Sequence, residues 1–186
     1  MNRPHSASGF SLVEVLVTVV ILGAIAAAGG GSLLNLARRE RANTVVSELA
    51  GWLEQASRDA SRFQAGAGQP CTVTITNGSL APGAVMASIA PAACATQTTL
   101  TVPDLAFNAP TAQINANPTA FVFTPRGTVA PSAGGAALPA AGITINVTVN
   151  NERPLRCVRL LGLLGVLEVG RNNQAAAGAC TEWSRI

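Results

Sequence analysis

Residues 9–31 of this 186-residue chain read GFSLVEVLVTVVILGAIAAAGGG, and this stretch decides the fold. It contains one charged residue, Glu14, near its start, and the next charge along the chain is Arg38. At about 1.5 Å per residue, an apolar helix of this length is long enough to cross a hydrocarbon core of about 30 Å. The sequence therefore predicts a membrane-spanning helix over residues 10–34.

The residues before the apolar stretch, MNRPHSASG, include Arg3 and end in Gly9. An ordinary secretory signal is cut after its apolar core, which is then lost from the mature protein. Here the plausible cleavage point lies before the apolar core, directly after Gly9, so that the mature chain would keep its helix. Residues 1–9 are therefore predicted to be a cleaved leader.

Residues 9–14, GFSLVE, resemble the processing site of type IV prepilins and type II secretion pseudopilins. The resemblance implies that a prepilin peptidase cuts between Gly9 and Phe10 and methylates the new amino terminus of Phe10. It implies other pilins or pseudopilins and an inner-membrane assembly platform as partners. It also implies a bacterial inner-membrane protein with one membrane span and a periplasmic or extracellular C-terminal domain, which later enters a pilus or pseudopilus.

Glu14 lies just inside the start of the predicted membrane helix. A carboxylate in such a helix costs about 3 kcal/mol at the helix centre on insertion scales, less near a helix end, and usually has a partner. The resemblance supplies one, the free amine of Phe10 on a neighbouring subunit. Phe10 and Glu14 would then set the register between helices that stack in a filament. The alternative is an unpartnered carboxylate at the level of the lipid headgroups, and the Gly9–Phe10 junction favours the assembly role.

Over residues 35–66 the helical pattern continues but becomes one-sided. Apolar residues recur every three or four positions, and charged residues fall between them. The pattern predicts an amphipathic helix that packs on a globular domain and ends at Gly66, Gly68 and Pro70. The apolar positions are Val45, Leu49, Trp52, Leu53, Ala56, Ala60 and Phe63.

Residues 67–186 change to short β-branched runs separated by Gly, Pro and Asn, which predicts a β-rich exported domain. The predicted fold class is α+β, with the long N-terminal helix packed on a C-terminal antiparallel sheet. Asn77-Gly78 predicts a type I′ turn. Residues 80–95 and 131–141, rich in Ala, Pro and Gly, predict surface loops. Strands are predicted at residues 71–76, 98–102, 120–124, 143–149, 155–161 and 166–169.

Residues 121–127, FVFTPRG, together with residues 143–147 and 155–171, resemble the C-terminal half of GspH/FimT-type minor pilins. This resemblance implies a minor pilin or pseudopilin in an initiating or tip role. The chain departs from the group at Val166, because members often have an arginine directly after the hairpin glycine, here Gly165. A major, fibre-forming pilin is the nearer alternative. The machine served would secrete proteins, extend pili or take up DNA.

The chain has four cysteines, and none lies in a CxxC or another metal-like spacing. An even number of this kind favours disulfides in an oxidising compartment over free thiols in a cytosolic fold. Three pairings are possible. The sequence favours Cys71 with Cys94 and Cys157 with Cys180, because each closes a local loop, and loop-closure entropy gives each about 3 kcal/mol of stabilisation.

A cluster of arginines near the C-terminus raises DNA capture for natural transformation as an alternative function. FimT-like DNA-binding proteins carry a Gly-Arg-x-Arg motif, whereas residues 170–173 here read GRNN. Non-specific affinity for DNA grows with the number of phosphates neutralised, so the cations would have to converge on one surface. Strand alternation would instead place them on two faces. The formal charge of the chain, +3 or +2 after loss of Arg3, is too small to attract DNA strongly. The sequence therefore favours solvated strand arginines. The candidate DNA contacts are Arg153, Arg156, Arg159 and Arg171.

The sequence argues against an enzyme. Its single histidine, His5, would leave with the leader, which excludes a catalytic triad or a histidine-metal site in the mature chain. The acidic residues are scattered, with no pair at a spacing typical of glycosidases. The sequence thus predicts no catalytic residues, no metal and no cofactor.

Overall fold

The computed structural model describes residues 10–67, 69–105, 110–124, 126–135, 137–161 and 165–185, with the backbone alone described at residues 27–33 and 64–67. The predicted leader, residues 1–9, lies outside the described residues. The chain divides into two compact units, Met1–Ala37 and Arg38–Ile186, and each is described by itself.

A single α-helix, α1, spans Leu12–Ala67, close to the predicted limits. It begins where the backbone N–H groups of Glu14 and Val15 donate to the Ser11 carbonyl at 3.0 and 3.2 Å. The helical backbone continues through the three glycines at residues 29–31. Each of these glycines costs about 1 kcal/mol relative to alanine in a helix.

In the first unit, the apolar side chains between Phe10 and Ile25 are exposed. Their exposed fractions range from 48% at Val17 to 82% at Phe10. Over the residues whose placement is described, no helix combines the length and the hydropathy required to cross a membrane. The membrane span over residues 10–34 stays a prediction.

The second unit contains the end of α1 and two antiparallel sheets. The five-stranded sheet has the order β4-β3-β1-β6-β7, and the six-stranded sheet has the order β11-β10-β9-β8-β5-β2. A short 3-10 helix, Ala92–Cys94, follows β3. The strands are β1 (Cys71–Ile75), β2 (Gly78–Leu80), β3 (Val85–Ala90), β4 (Thr99–Thr101), β5 (Ala112–Asn117), β6 (Ala120–Phe123), β7 (Val129–Pro131), β8 (Ile143–Val149), β9 (Glu152–Leu161), β10 (Val166–Asn172) and β11 (Glu182–Arg185).

One buried cluster joins the apolar stripe of α1 to residues of both sheets. Leu49 on α1, Phe121 on β6 and Ile145 on β8 have no exposed surface. The predicted stripe is confirmed, because all its members are buried except Phe63, which packs half-buried against the cluster. Alternation along the strands supplies the opposite side of the core, as β1 and β8 show in their burial patterns.

Two polar contacts fix α1 to the segment between the 3-10 helix and β4. The Trp52 indole Nε1–H donates to the Gln97 carbonyl at 3.0 Å. About two turns further on, the Asp59 carboxylate accepts from the backbone N–H of Thr96 at 3.3 Å. The helix is therefore held by directed bonds as well as by apolar packing.

Both disulfides have the local pairing that the sequence favours. Cys71 on β1 bonds to Cys94 in the 3-10 helix, with a Cα–Cα distance of 5.7 Å. Cys157 on β9 bonds to Cys180, just before β11, with a Cα–Cα distance of 6.3 Å. Each bridge closes a separation of 23 residues and connects a strand to a segment that follows it in the chain.

The prediction of a hairpin turn at Asn77-Gly78 is wrong. β1 pairs with β3 and β6, whereas β2 pairs with β5, so the chain changes sheets at this point. The Asn77 side chain donates to the Ala116 carbonyl at 3.0 Å and accepts from the Ala116 N–H at 2.8 Å. Gly78 still needs its positive φ of 118°. A long-range amide pair therefore replaces the local turn.

The surface loop predicted over residues 80–95 is also wrong, because β3 lies inside it. Met86 and Ala87 are fully buried and Ile89 is 4% exposed. β3 pairs with β1 on one side and β4 on the other. The flanking Ala, Pro and Gly residues concealed a short apolar strand. β5 was also missing from the prediction, because three of the six residues in its AQINAN sequence are polar and none of the others but Ile114 is β-branched.

Candidate functional site

The first candidate site is the start of α1. Ser11 directly precedes the helix, and Glu14 is the acidic residue of its first turn. This Ser-x-x-Glu spacing is typical of a capping box, and a carboxylate is favourable beside the unpaired N–H groups and positive dipole end of a helix. Glu14 is exposed. The first-turn position of Glu14 beside the helix dipole is thus a feature that the sequence pattern did not single out.

The second candidate site is the arginine cluster, and strand alternation separates its members as predicted. On β9, Arg159 lies opposite Glu168 of β10, and its Nη2 atom is 2.6 Å from the carboxylate. Its guanidinium carbon also lies 4.0 Å from the centre of the Trp183 ring. The side chain of Arg159 is only 25% exposed. Its charge is therefore directed to a carboxylate and an aromatic ring of the same domain.

Arg171 on β10 is also paired. Its Nη2 atom lies 2.7 Å from the Glu182 carboxylate of β11, and both side chains are about 60% exposed. Glu152, next to Arg153, forms an ion pair with Arg38 at 3.1 Å. Arg153 is exposed, and no partner of its side chain is seen among the described residues.

Arg156 corrects the expectation that the strand arginines are solvated, because it is only 6% exposed. Its Nε atom donates to the Asn43 Oδ1 atom of α1 at 2.6 Å, and its Nη1 atom donates to the Leu155 carbonyl at 3.1 Å. Burial lowers the pKa of the Arg156 guanidinium, and the charges of Arg39 and Arg171 lower it further, whereas Glu40 acts in the opposite direction. An arginine nonetheless stays protonated in proteins.

A groove of about 620 Å³ lies between α1 and the β9–β11 edge of the six-stranded sheet. We call it the Arg156 groove. Arg156 and Arg171 are opposite each other in the β9–β10 register, and both line the groove. The helix side is made by Asn43, Val46, Ser47, Ala50 and Gly51.

The four candidate DNA contacts therefore do not form one strip. Arg156 is buried against α1, and Arg159 belongs to the opposite face of β9. Arg159 and Arg171 each have a carboxylate partner. Because phosphate binding requires several cations that converge on one surface, this arrangement weighs against DNA capture by these residues. The sequence had no signal for Asn43 as the partner of Arg156, since the two are 113 residues apart.

Comparison with known proteins identifies one match. Residues 4–30 match the prokaryotic N-terminal methylation motif, which is the signal of type IV pilin-like proteins. A search of curated proteins and a search of solved structures returned no significant match. The motif supports a type IV pilin-like protein that prepilin peptidase processes and that assembles with other pilins. It points to a membrane-anchored structural subunit rather than to an enzyme.

Proposed function

We propose that this chain is a minor pilin or pseudopilin subunit of the GspH/FimT type. Prepilin peptidase cuts it between Gly9 and Phe10 and methylates the amino group of Phe10. The mature subunit is held in the inner membrane by residues 10–34, with its C-terminal domain in the periplasm. It then enters a type IV pilus or a type II secretion pseudopilus, in an initiating or tip role.

The methylation motif at residues 4–30 is the observation that carries the pilin-like part of this proposal, and the GspH/FimT type rests on the resemblance of residues 121–127, 143–147 and 155–171. The motif contains the part of α1 whose apolar side chains are exposed in the single chain. Exposed apolar surface on this scale requires a cover, which lipid supplies before assembly and neighbouring helices supply in the filament. The two disulfides agree with a domain that is exported to an oxidising compartment.

Within the filament, we assign Glu14 to the contact with the methylated amine of Phe10 on a neighbouring subunit. Glu14 is exposed, and it has the first-turn position from which a carboxylate can face a second chain. A pairing of this kind removes the cost of placing a lone charge in an apolar filament core.

Processing is tested by mass spectrometry of the protein from cells that contain a prepilin peptidase. The expected mature chain begins at Phe10 and carries one added methyl group, and Gly9→Leu leaves the leader in place because the enlarged side chain blocks the cleavage site. Ser8→Leu, one residue away, is the matched control. A mature protein that still begins at Met1, or one cut downstream of residue 34, would refute the proposal.

Assembly is tested with Glu14→Ala, which we expect to leave cleavage intact and to lower incorporation into sheared filaments by about tenfold, as loss of a charge-assisted contact implies. Glu48→Ala is the control, since Glu48 is another exposed carboxylate of α1. Equal incorporation of the Glu14 variant and the parent would remove the role of Glu14. The amount of the chain per filament separates a minor subunit from a major pilin.

A further inference from the structure

Arg156 is a buried cation whose hydrogen-bond partners among the described residues are neutral groups. It is 6% exposed, and in the part of the chain that the structure describes no carboxylate lies within ion-pair distance of its guanidinium. Its two hydrogen bonds, to Asn43 and to the Leu155 carbonyl, use neutral acceptors. A guanidinium has five N–H donors, and a buried charge normally has a counter-charge. Neither of these acceptors is charged, and Arg156 lines the groove, so its guanidinium can still donate to an acceptor that enters the groove.

The surroundings of Arg156 contain two arginines and one carboxylate that act on its pKa. Arg171 lies directly opposite on β10. Burial lowers the pKa of Arg156, the charges of Arg39 and Arg171 lower it further, and the Glu40 carboxylate acts in the opposite direction. Glu182 is the carboxylate of the groove, but it is bound to Arg171 at 2.7 Å. The Arg156 groove thus favours an anion at its Arg156 end, while the Glu182 carboxylate disfavours a second negative charge beside it.

The walls of the groove define what can carry that anion. On the helix side, Ser47, Ala50 and Gly51 have small side chains, and a Cβ atom built on Gly51 would meet nothing within 4 Å. Val46 and Val169 make parts of the wall apolar. A volume of about 620 Å³ accommodates several residues of a peptide. A single carboxylate on an aliphatic stem fits these walls better than a nucleic-acid backbone with regularly repeated charges.

We infer that the Arg156 groove binds an Asp or Glu side chain from a short segment of a neighbouring pilin-type subunit, with the carboxylate on the Arg156 guanidinium. This inference rests on the proposed function, because it requires assembled neighbours. It adds a second contact between subunits, made by the exported domain rather than by the apolar start of α1.

Photo-crosslinking in cells tests the inference on the full chain. The crosslinking residue p-benzoylphenylalanine is placed at Ser47, which is exposed and lines the groove, and in a matched variant at Gln55, which is exposed on α1 outside it. A third variant carries it at Leu16, in the apolar start of α1. We expect the Ser47 variant, but not the Gln55 variant, to yield a crosslinked partner peptide that contains Asp or Glu near the attachment point.

The role of Arg156 is tested by adding Arg156→Gln or Arg156→Lys to the Ser47 crosslinking variant. We expect Arg156→Gln to lower the crosslinking yield by about tenfold and Arg156→Lys, which keeps the positive charge, to retain most of it. Thermal unfolding checks that both variants are folded. If Arg156→Gln does not fold, replacing the identified partner carboxylate by its amide makes the same test with this chain unchanged, and the same tenfold loss is expected.

Three results would overturn the inference. The first is a Ser47 crosslink to nucleic acid or to a peptide without an acidic residue. The second is a yield that stays unchanged when the charge of Arg156 or of the partner carboxylate is removed from a folded protein. The third is no crosslink from Ser47 while the Leu16 variant crosslinks to pilins, which leaves the proposed function standing. Absence of pilin crosslinks from Leu16 as well would refute both proposals.

Discussion

The two ends of α1 use apolar residues in opposite ways. Between Phe10 and Ile25 the apolar side chains are about half exposed or more, whereas Val45, Leu49 and Ala60 have no exposed surface. The backbone is α-helical in both regions. The second region is covered by two sheets of its own unit, whereas the apolar side chains of the first region are exposed.

The two regions of this helix should therefore stabilise different things: the second the folded domain, and the first the anchored or assembled state. Apolar residues of the second region stabilise the folded domain, because folding removes their side chains from water. Residues of the first region are exposed in the single chain, so their contribution should be to anchoring and assembly. A substitution should accordingly change either the stability of the domain or the behaviour of the filament, depending on its region.

The largest effect on stability is expected from Leu49→Ala. Leu49 is fully buried, and truncation of a buried leucine removes apolar contacts and leaves a cavity. We expect the free energy of unfolding to fall by about 2–5 kcal/mol. Urea denaturation of the full chain in detergent, followed by Trp fluorescence, measures this change. A loss below about 1 kcal/mol would mean that the second region is not part of the core.

A smaller effect is expected from Trp52→Phe. The change keeps an aromatic ring in the core but removes the indole N–H that bonds to the Gln97 carbonyl at 3.0 Å. Loss of this bond should destabilise the domain by about 1–3 kcal/mol, since the Gln97 carbonyl loses its donor in a partly buried place. Trp183 remains as the fluorescent reporter. Stability equal to that of the parent would show that the bond is not formed in solution.

An ion pair on the exposed face of the second region should contribute less to the stability of the domain than the Trp52 hydrogen bond does. Arg58 and Glu54 form an ion pair at 2.7 Å, but their side chains are 60% and 48% exposed. An exposed pair at this helical spacing is expected to stabilise the domain by about 0.3–0.5 kcal/mol at low salt. A double-mutant cycle with Arg58→Gln and Glu54→Gln gives the coupling energy. A coupling above about 1 kcal/mol would contradict the assignment of this face to solvent.

The smallest effect on folding is expected from Leu16→Ala. Leu16 is 59% exposed, so its truncation should change the free energy of unfolding by less than about 0.5 kcal/mol. The same denaturation experiment compares this variant with Leu49→Ala, and both variants replace a leucine by an alanine. We expect the Leu16 variant to lower recovery in filaments instead. A destabilisation as large as that of Leu49→Ala would show that the first region packs on its own domain.

Most of α1 and of the strands near the C-terminus could be predicted, because the sequence patterns that indicate them are local. The periodic apolar positions of α1 and the β-branched runs of β8 and β10 need no knowledge of their partners. The Asn77-Gly78 turn failed for the opposite reason, because its outcome depended on Ala116, a residue on a different strand. β3 failed because its surroundings have the composition of a loop, although Met86 and Ile89 are buried.

The features of the candidate sites also divide into those that nearby residues predict and those that depend on distant residues. The GFSLVE start, the carboxylate at Glu14 and the local disulfide pairing follow from residues that are near each other in the chain. The surroundings of Arg156 could not be predicted, because Asn43 and Arg156 are brought together by the packing of α1 on β9. Alternation alone placed Arg156 and Arg159 on opposite faces, but it could not say which face the helix would cover.

The sequence by itself determined the apolar start of the helix, its amphipathic continuation and the α+β class, because hydrophobic periodicity and chain length act over a few residues at a time. Tertiary structure decided the division into two sheets, the burial of Arg156 and the groove beside it. These features depend on which distant surfaces exclude water from each other, and no local pattern specifies that choice.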